Sequence, residues 1–172
     1  FGIPNVAIDY DALQRLRPLQ GQRVLLVVTA GGDVLLEADG AAASRLSAAI
    51  VAGESCPSAL VAEHLGIAPD TRLYNEYGPT EMTVWSTVHA LDREASEPVP
   101  IGRPLSLTQA IVTDAHGNPV PRGLPGELLL AGHGIAEGYV GDASGGFVAH
   151  PLDAKVRAYR SGDRARLGAD GL

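Results

Sequence analysis

The chain is predicted to be an α/β protein: a βαβ unit with a partly parallel sheet, followed by a small β-rich subdomain resembling a distorted barrel. Three observations carry that expectation. Apolar runs of strand length flank a helical stretch in the first half. No helical period runs through residues 98–150. A charged, proline-bearing segment near residues 92–100 (DREASEPVP) separates the two characters, as a linker does. The expected division is residues 1–95 for the α/β portion and 96–172 for the β-rich portion.

Arg23 to Ala30 (RVLLVVTA) is a continuous apolar run, the kind that forms a buried parallel strand. Ser47 to Ala52 (SAAIVA) is a second, ended by Gly53. Pro57 stands where a helix would begin, and PSALVAEHL reads as a short amphipathic helix closed by Gly66, with His64 on its solvated side. Thr71 to Asn75 is the next strand, completing strand–helix–strand. The chain breaks at Gly78-Pro79 and is expected to resume as a strand through Thr83, Val84 and Trp85. Further on, Gln109 to Asp114 and Glu127 to Ala131 read as strands joined by the breaker-dense AHGNPVPRGLPG.

Composition narrows the function. The 172 residues carry a formal net charge of −7, which repels nucleic acid and anionic membrane surfaces. One cysteine, Cys56, excludes an internal disulfide and an all-cysteine metal site; it reads as a small buried residue rather than a nucleophile. The five histidines show no metal-ligand spacing. No signal peptide opens the chain, and no apolar run nears the roughly 18 residues of a membrane span. A cytoplasmic protein is the expectation. The start at Phe1 rather than Met, and the stop just after a turn signal, suggest a fragment.

The segment NEYGPTE (Asn75 to Glu81) carries more chemistry than a turn requires. Strand alternation puts Asn75 and Tyr77 on one face and Glu76 on the other. An amide suits a purine edge, and a tyrosine ring offers a surface on which a base can stack. Gly78 permits close approach; Thr80 offers a hydroxyl to a phosphate oxygen and Glu81 a hard oxygen to Mg²⁺. Together these describe a purine nucleotide site with a metal.

NEYGPTE resembles a core motif of the adenylation domains of nonribosomal peptide synthetases, in the adenylate-forming superfamily. Three further segments resemble that family in order: VAGE (Val51 to Glu54), GELLLAGHGIAEGYV (Gly126 to Val140) and YRSGDRAR (Tyr159 to Arg166), where Ser161 replaces the usual Thr. PIGRP (Pro100 to Pro104) is also common there. The resemblance covers Ser47 to Leu172 and implies that the chain ends just before the hinge to a C-terminal domain.

By resemblance, Asn75 faces the adenine, Tyr77 stacks on it, and Gly53 and Gly78 leave room for it. Thr80 contacts the α-phosphate, Glu81 holds Mg²⁺ and Asp163 accepts hydrogen bonds from the ribose hydroxyls; Thr80 and Glu81 are the catalytic candidates. Ile50, Ala52, Glu76, Val84 and Trp85 line the pocket for the amino-acid side chain, for which a compact or polar side chain is expected. The glycine-rich segment of Gly126, Glu127, Gly132 and Gly138 is read as mainly structural, with Glu127 pairing inside the β-rich half and Arg166 in a surface ion pair.

The implied reaction forms aminoacyl-AMP from an amino acid and ATP. The acyl group then passes to the phosphopantetheine thiol of a peptidyl carrier protein, beside neighbouring synthetase domains. The family's phosphate loop, its aspartate for the substrate amine and its catalytic lysine have no match. Asp9 and Asp11 cannot be assigned that amine-binding role, and VTAGGDV (Val28 to Val34) reads as a strand-ending turn. The chain alone is therefore expected to be inactive. An acyl- or aryl-CoA ligase is the alternative within the superfamily, and a non-catalytic scaffold the alternative outside it.

Overall fold

A computed structural model of the chain describes residues 24–28, 46–92, 97–140 and 145–168, the first of these as backbone. The expectations placed on Asp9, Asp11 and most of Val28 to Val34 lie outside the described residues.

The first sheet has the order β1 (Val24–Val28), β2 (Ala48–Ala52), β3 (Arg72–Tyr77), β4 (Thr87–Leu91), β5 (Arg103–Pro104). Strands β1, β2 and β3 are parallel, whereas β4 and β5 run antiparallel. A parallel pair needs a crossover, and helix α1 (Ser58–Ile67) supplies it between β2 and β3. The expected βαβ unit is present. Ala49, Val51, Leu73 and Leu91 share the sheet face that Leu60 and Val61 of α1 cover, which makes the first core cluster.

Two local readings are corrected. Gly66 does not close the helix, which runs on to Ile67 and is capped where the Ala68 amide donates to the His64 carbonyl at 2.8 Å. His64 is not solvated: it is 5% exposed, with Nε2 2.9 Å from the Thr71 carbonyl oxygen. Its partner comes from beyond the helix, so helical periodicity could not reveal it. A buried carbonyl needs a donor, and the imidazole provides one.

The second sheet is antiparallel throughout, with β6 (Thr108–Thr113), β7 (Pro125–Gly132), β8 (Phe147–His150) and β9 (Asp153–Arg166) in the order β6-β7-β9-β8. The first sheet thus continues to Pro104 before the second begins at Thr108. Central strand β7 is buried on both faces. Leu128 and Leu130 pack to one side, and Leu129 and Ala131 to the other, which explains an unbroken ELLLA run where alternation would otherwise be expected. The Leu128–Leu130 side receives Tyr77 from the end of β3, Met82 from the turn that follows it and Ile101 from the segment before β5, so this cluster is the seam between the sheets. Among the described residues no helix is long and apolar enough to cross a membrane.

Across β7 and β9, Arg160 pairs with Glu127 through Nε at 3.1 Å to each carboxylate oxygen and through a further Nη2 contact. That guanidinium, more than partial burial acting upward, holds the Glu127 carboxyl below its ordinary value of 4.5. A depressed carboxyl contributes stability that is present above the unfolded-state pKa and lost as pH falls through the folded-state one. The stability difference between wild type and Glu127→Gln is therefore expected to shrink below about pH 4.5 and hold steady above it. Urea midpoints between pH 3 and 7 check this; a difference unchanged at low pH would refute it.

Candidate nucleotide site

The site is built where β3 ends. Ala52 is in register with Glu76, so Gly53 and Tyr77 leave adjacent carboxyl ends of parallel strands, next to the point where the sheet turns antiparallel. Open α/β sheets bind ligands at such ends. Gly53 has φ +88°, a left-handed conformation that suits glycine. At Gly78 the demand is space: a Cβ would lie 2.1 Å from the Val84 carbonyl oxygen, because the returning chain crosses there.

Beyond Pro79 the expected strand does not resume at once. Thr80–Met82 is a single 3-10 turn, and Thr83 and Val84 follow with φ of 57° and 75°. Trp85 therefore belongs to the turn, and β4 begins at Thr87. Two successive left-handed β-branched residues cost about 1–3 kcal/mol each. Tertiary bonds impose the shape: Thr83 Oγ1 donates to the Gly134 carbonyl at 2.7 Å, the Ala136 amide to the Glu81 carbonyl at 2.7 Å, and the Ser86 amide to the Tyr77 carbonyl at 2.9 Å. Residue type alone read as strand; the contacts with a distant segment override it.

This turn meets β9. The Tyr77 hydroxyl donates to Asp163 Oδ2 at 2.5 Å, joining residues 86 positions apart. Burial, then the hydrogen bond to Asp163, pushes the Tyr77 phenol well above its ordinary range. Ser161 sets the Asp163 backbone: its hydroxyl accepts from the Asp163 amide at 3.1 Å and donates to the Leu128 carbonyl at 2.9 Å. A serine here thus supplies the same hydroxyl that a threonine would.

Glu81 is half-buried, and its carboxyl lies below the ordinary range. Burial is the largest single influence and acts upward, but donors outweigh it: the Tyr139 hydroxyl, the residue's own amide and the Tyr159 hydroxyl. Thr80 is exposed. Asn75 is 3% exposed and commits its Nδ2 to the Pro100 carbonyl at 2.9 Å. PIGRP therefore supports the NEYGPTE strand directly.

Ile50, Ala52 and Glu76 share the sheet face opposite α1, as the pairings Ile50–Tyr74 and Ala52–Glu76 require. Burial raises the Glu76 carboxyl above its ordinary range. Val84 is 47% exposed and Trp85 half-buried, both in the turn. Cys56 has a thiol raised first by burial and then by Glu97, the opposite of what a nucleophile needs.

Sequence reasoning missed two members of the arrangement. Tyr139 and Tyr159 both stand within family-like segments, GYV and YRSGD, but nothing in their spacing ties either to Glu81. As for a metal, among the described residues no group of three His, Cys, Asp or Glu could hold one. A lone carboxylate beside a hydroxyl fits Mg²⁺, which takes one or two carboxylates and fills its shell with phosphate oxygens and water.

A mixed sheet, a seam to a second sheet, and a turn between them bring phenol and carboxylate groups together at the carboxyl edge of an α/β unit. The AMP-binding enzyme family profile matches residues 9–140, and the chain belongs to that family. The chain is 41% identical over 132 residues to a component of the linear gramicidin synthase of Brevibacillus parabrevis, covering 74% of this chain and 3% of that protein. It is 37% identical over 129 residues to tyrocidine synthase 3 of the same organism, covering 73% and 2%. Among solved structures it resembles PA1221, an NRPS protein containing adenylation and PCP domains, with TM-score 0.79 and 28% identity over 94% of this chain and 34% of that one. It also resembles the Klebsiella oxytoca NpsA N-terminal subdomain in complex with 3-hydroxybenzoyl-AMSN, with TM-score 0.78 and 26% identity over 99% and 42%. The adenylation-domain resemblance read from the four segments holds. The chain spans only 2–3% of the length of these curated relatives.

Proposed function

We propose that the chain is the central part of an amino-acid-activating adenylation domain. The amino-acid carboxylate attacks the α-phosphorus of ATP, pyrophosphate leaves, and aminoacyl-AMP remains bound. A phosphopantetheine thiol on a peptidyl carrier protein then takes the acyl group and AMP leaves. The observation that carries this reading is the Tyr77–Asp163 hydrogen bond. It unites two residues, far apart in the chain, that the resemblance assigns independently to adenine and ribose.

In this reading Asn75, Tyr77, Gly53 and Gly78 surround the base, Asp163 takes the ribose, and Thr80 meets the α-phosphate. Glu81 holds Mg²⁺, whose role is to offset charge as the phosphoryl oxygens become more anionic. Ile50, Ala52, Glu76, Val84 and Trp85 shape the amino-acid pocket. The division into residues 1–95 and 96–172, the neighbouring synthetase domains and a cytoplasmic setting belong to the same proposal. The chain alone is expected to bind nucleotide without turning over.

Calorimetric titration of the chain with sulfamoyl-adenosine mimics of aminoacyl, fatty-acyl and aryl adenylates, with AMP as reference, tests the reading. Aminoacyl mimics binding more tightly than AMP is the expected result. Preference for a fatty-acyl or aryl mimic would favour the CoA-ligase alternative. A folded chain that binds none of them would overturn the site assignments for this chain: either the missing loop and lysine hold most of the affinity, or the module is a scaffold.

A further inference from the structure

The segment Gly126 to Val140 reads in sequence as a structural strand and turn, yet its final residues lie against the Thr80–Met82 turn. Three bonds fasten it there: Thr83 Oγ1 to the Gly134 carbonyl, the Ala136 amide to the Glu81 carbonyl, and the Tyr139 hydroxyl to Glu81 Oε1. The Tyr139 ring is itself held in place. It meets Phe147 edge-on at 6.0 Å between centroids, and Phe147 meets Tyr159 at 5.2 Å. The Arg157 guanidinium stands 4.8 Å above the Phe147 ring. A Cβ on Gly145 would lie 2.5 Å from Tyr139 Cε2, so the ring presses on bare backbone. An aromatic stack thus fixes where the Tyr139 hydroxyl can be.

A glutamate carboxylate is otherwise free to swing, and ordering it costs conformational entropy. Here one oxygen, Oε1, is taken by the Tyr139 phenol. Carboxylates that bind metals are characteristically held by such outer hydrogen bonds, whose loss lowers metal affinity. We propose that Tyr139 is a positioning residue of the nucleotide–metal site: its hydroxyl clamps Glu81 Oε1 and leaves Oε2 to face a divalent cation carried on the nucleotide phosphates. The inference rests on the reading of Glu81 as the metal ligand. With no further carboxylate assigned to the ion, the aim of this one oxygen decides how well the site holds it.

Tyr139→Phe keeps the ring and its packing and removes only the hydroxyl. The probe is Mn²⁺ with ATP, its free concentration read by electron paramagnetic resonance. AMP affinity without metal and the urea midpoint are measured alongside. Tyr139→Phe is expected to lower Mn²⁺ affinity about 10-fold or more while leaving AMP affinity and the midpoint nearly unchanged. Glu81→Gln is expected to abolish the Glu81-dependent part of Mn²⁺ binding. If Tyr139→Phe matches wild type while Glu81→Gln is impaired, the positioning role is overturned and the metal assignment stands. Tighter Mn²⁺ binding in Tyr139→Phe would make the phenol a competitor of the cation, and equal losses of AMP and Mn²⁺ affinity would make it merely structural; either refutes the proposal. If Glu81→Gln changes nothing, or wild type shows no Mn²⁺-dependent ATP binding, the metal reading and this inference fall together.

Discussion

Asp163→Ala is expected to weaken AMP binding by the chain about 10- to 100-fold, from the roughly 1.5–3 kcal/mol that hydrogen bonds to a charged group contribute. Two changes act together. In the proposed site the ribose diol loses its acceptor, and the Tyr77 hydroxyl loses the partner now 2.5 Å away. Tyr77→Phe separates them: it keeps the stacking ring and frees Asp163, so a much smaller loss is expected. Calorimetry of the three proteins with AMP is the measurement. Equal losses in Asp163→Ala and Tyr77→Phe would mean that the contact between the two residues, rather than the ribose, is what matters.

The largest expected effect on stability is at Leu130. Its side chain is 0% exposed and lies in the seam with Met82 and Leu128. Leu130→Ala removes buried methyl groups and leaves a cavity between two sheets, neither of which can collapse without disturbing the other. A loss of about 2–5 kcal/mol is expected, a large share of the roughly 5–15 kcal/mol that ordinary domains possess. Leu124 is 53% exposed, so Leu124→Ala is expected to stay within about 0.5 kcal/mol and serves as control. Urea unfolding followed by circular dichroism reads both. A Leu130→Ala loss below about 1 kcal/mol would mean that the seam is not a shared core.

Much of the architecture was legible because strands and helices write short-range patterns. RVLLVVTA and SAAIVA declared β1 and β2, and ELLLA declared β7, each to within two residues of its observed ends. What escaped was whatever depended on a distant partner. His64 is polar on a helix, but its acceptor is the Thr71 carbonyl beyond the helix end. Thr83 and Val84 carry strand-forming side chains yet are bent left-handed by Gly134 and neighbouring bonds. The candidate site was similarly divided. NEYGPTE and YRSGD announced their own chemistry, whereas Tyr139 gave no local hint, since its meaning comes from Glu81, 58 residues away. No periodicity encodes such a meeting.

The turn that displaced Trp85 from its expected strand has a practical outcome. The chain contains one tryptophan. That indole is half-buried four residues beyond Glu81 and two before β4, on backbone whose bends are tied to both sheets. Indole emission from this chain is therefore a single-position optical signal, placed at the junction where the proposed ligand would arrive. Titrations and unfolding curves can be followed there without any label, and a spectral change on adding nucleotide would report this turn and no other part of the chain.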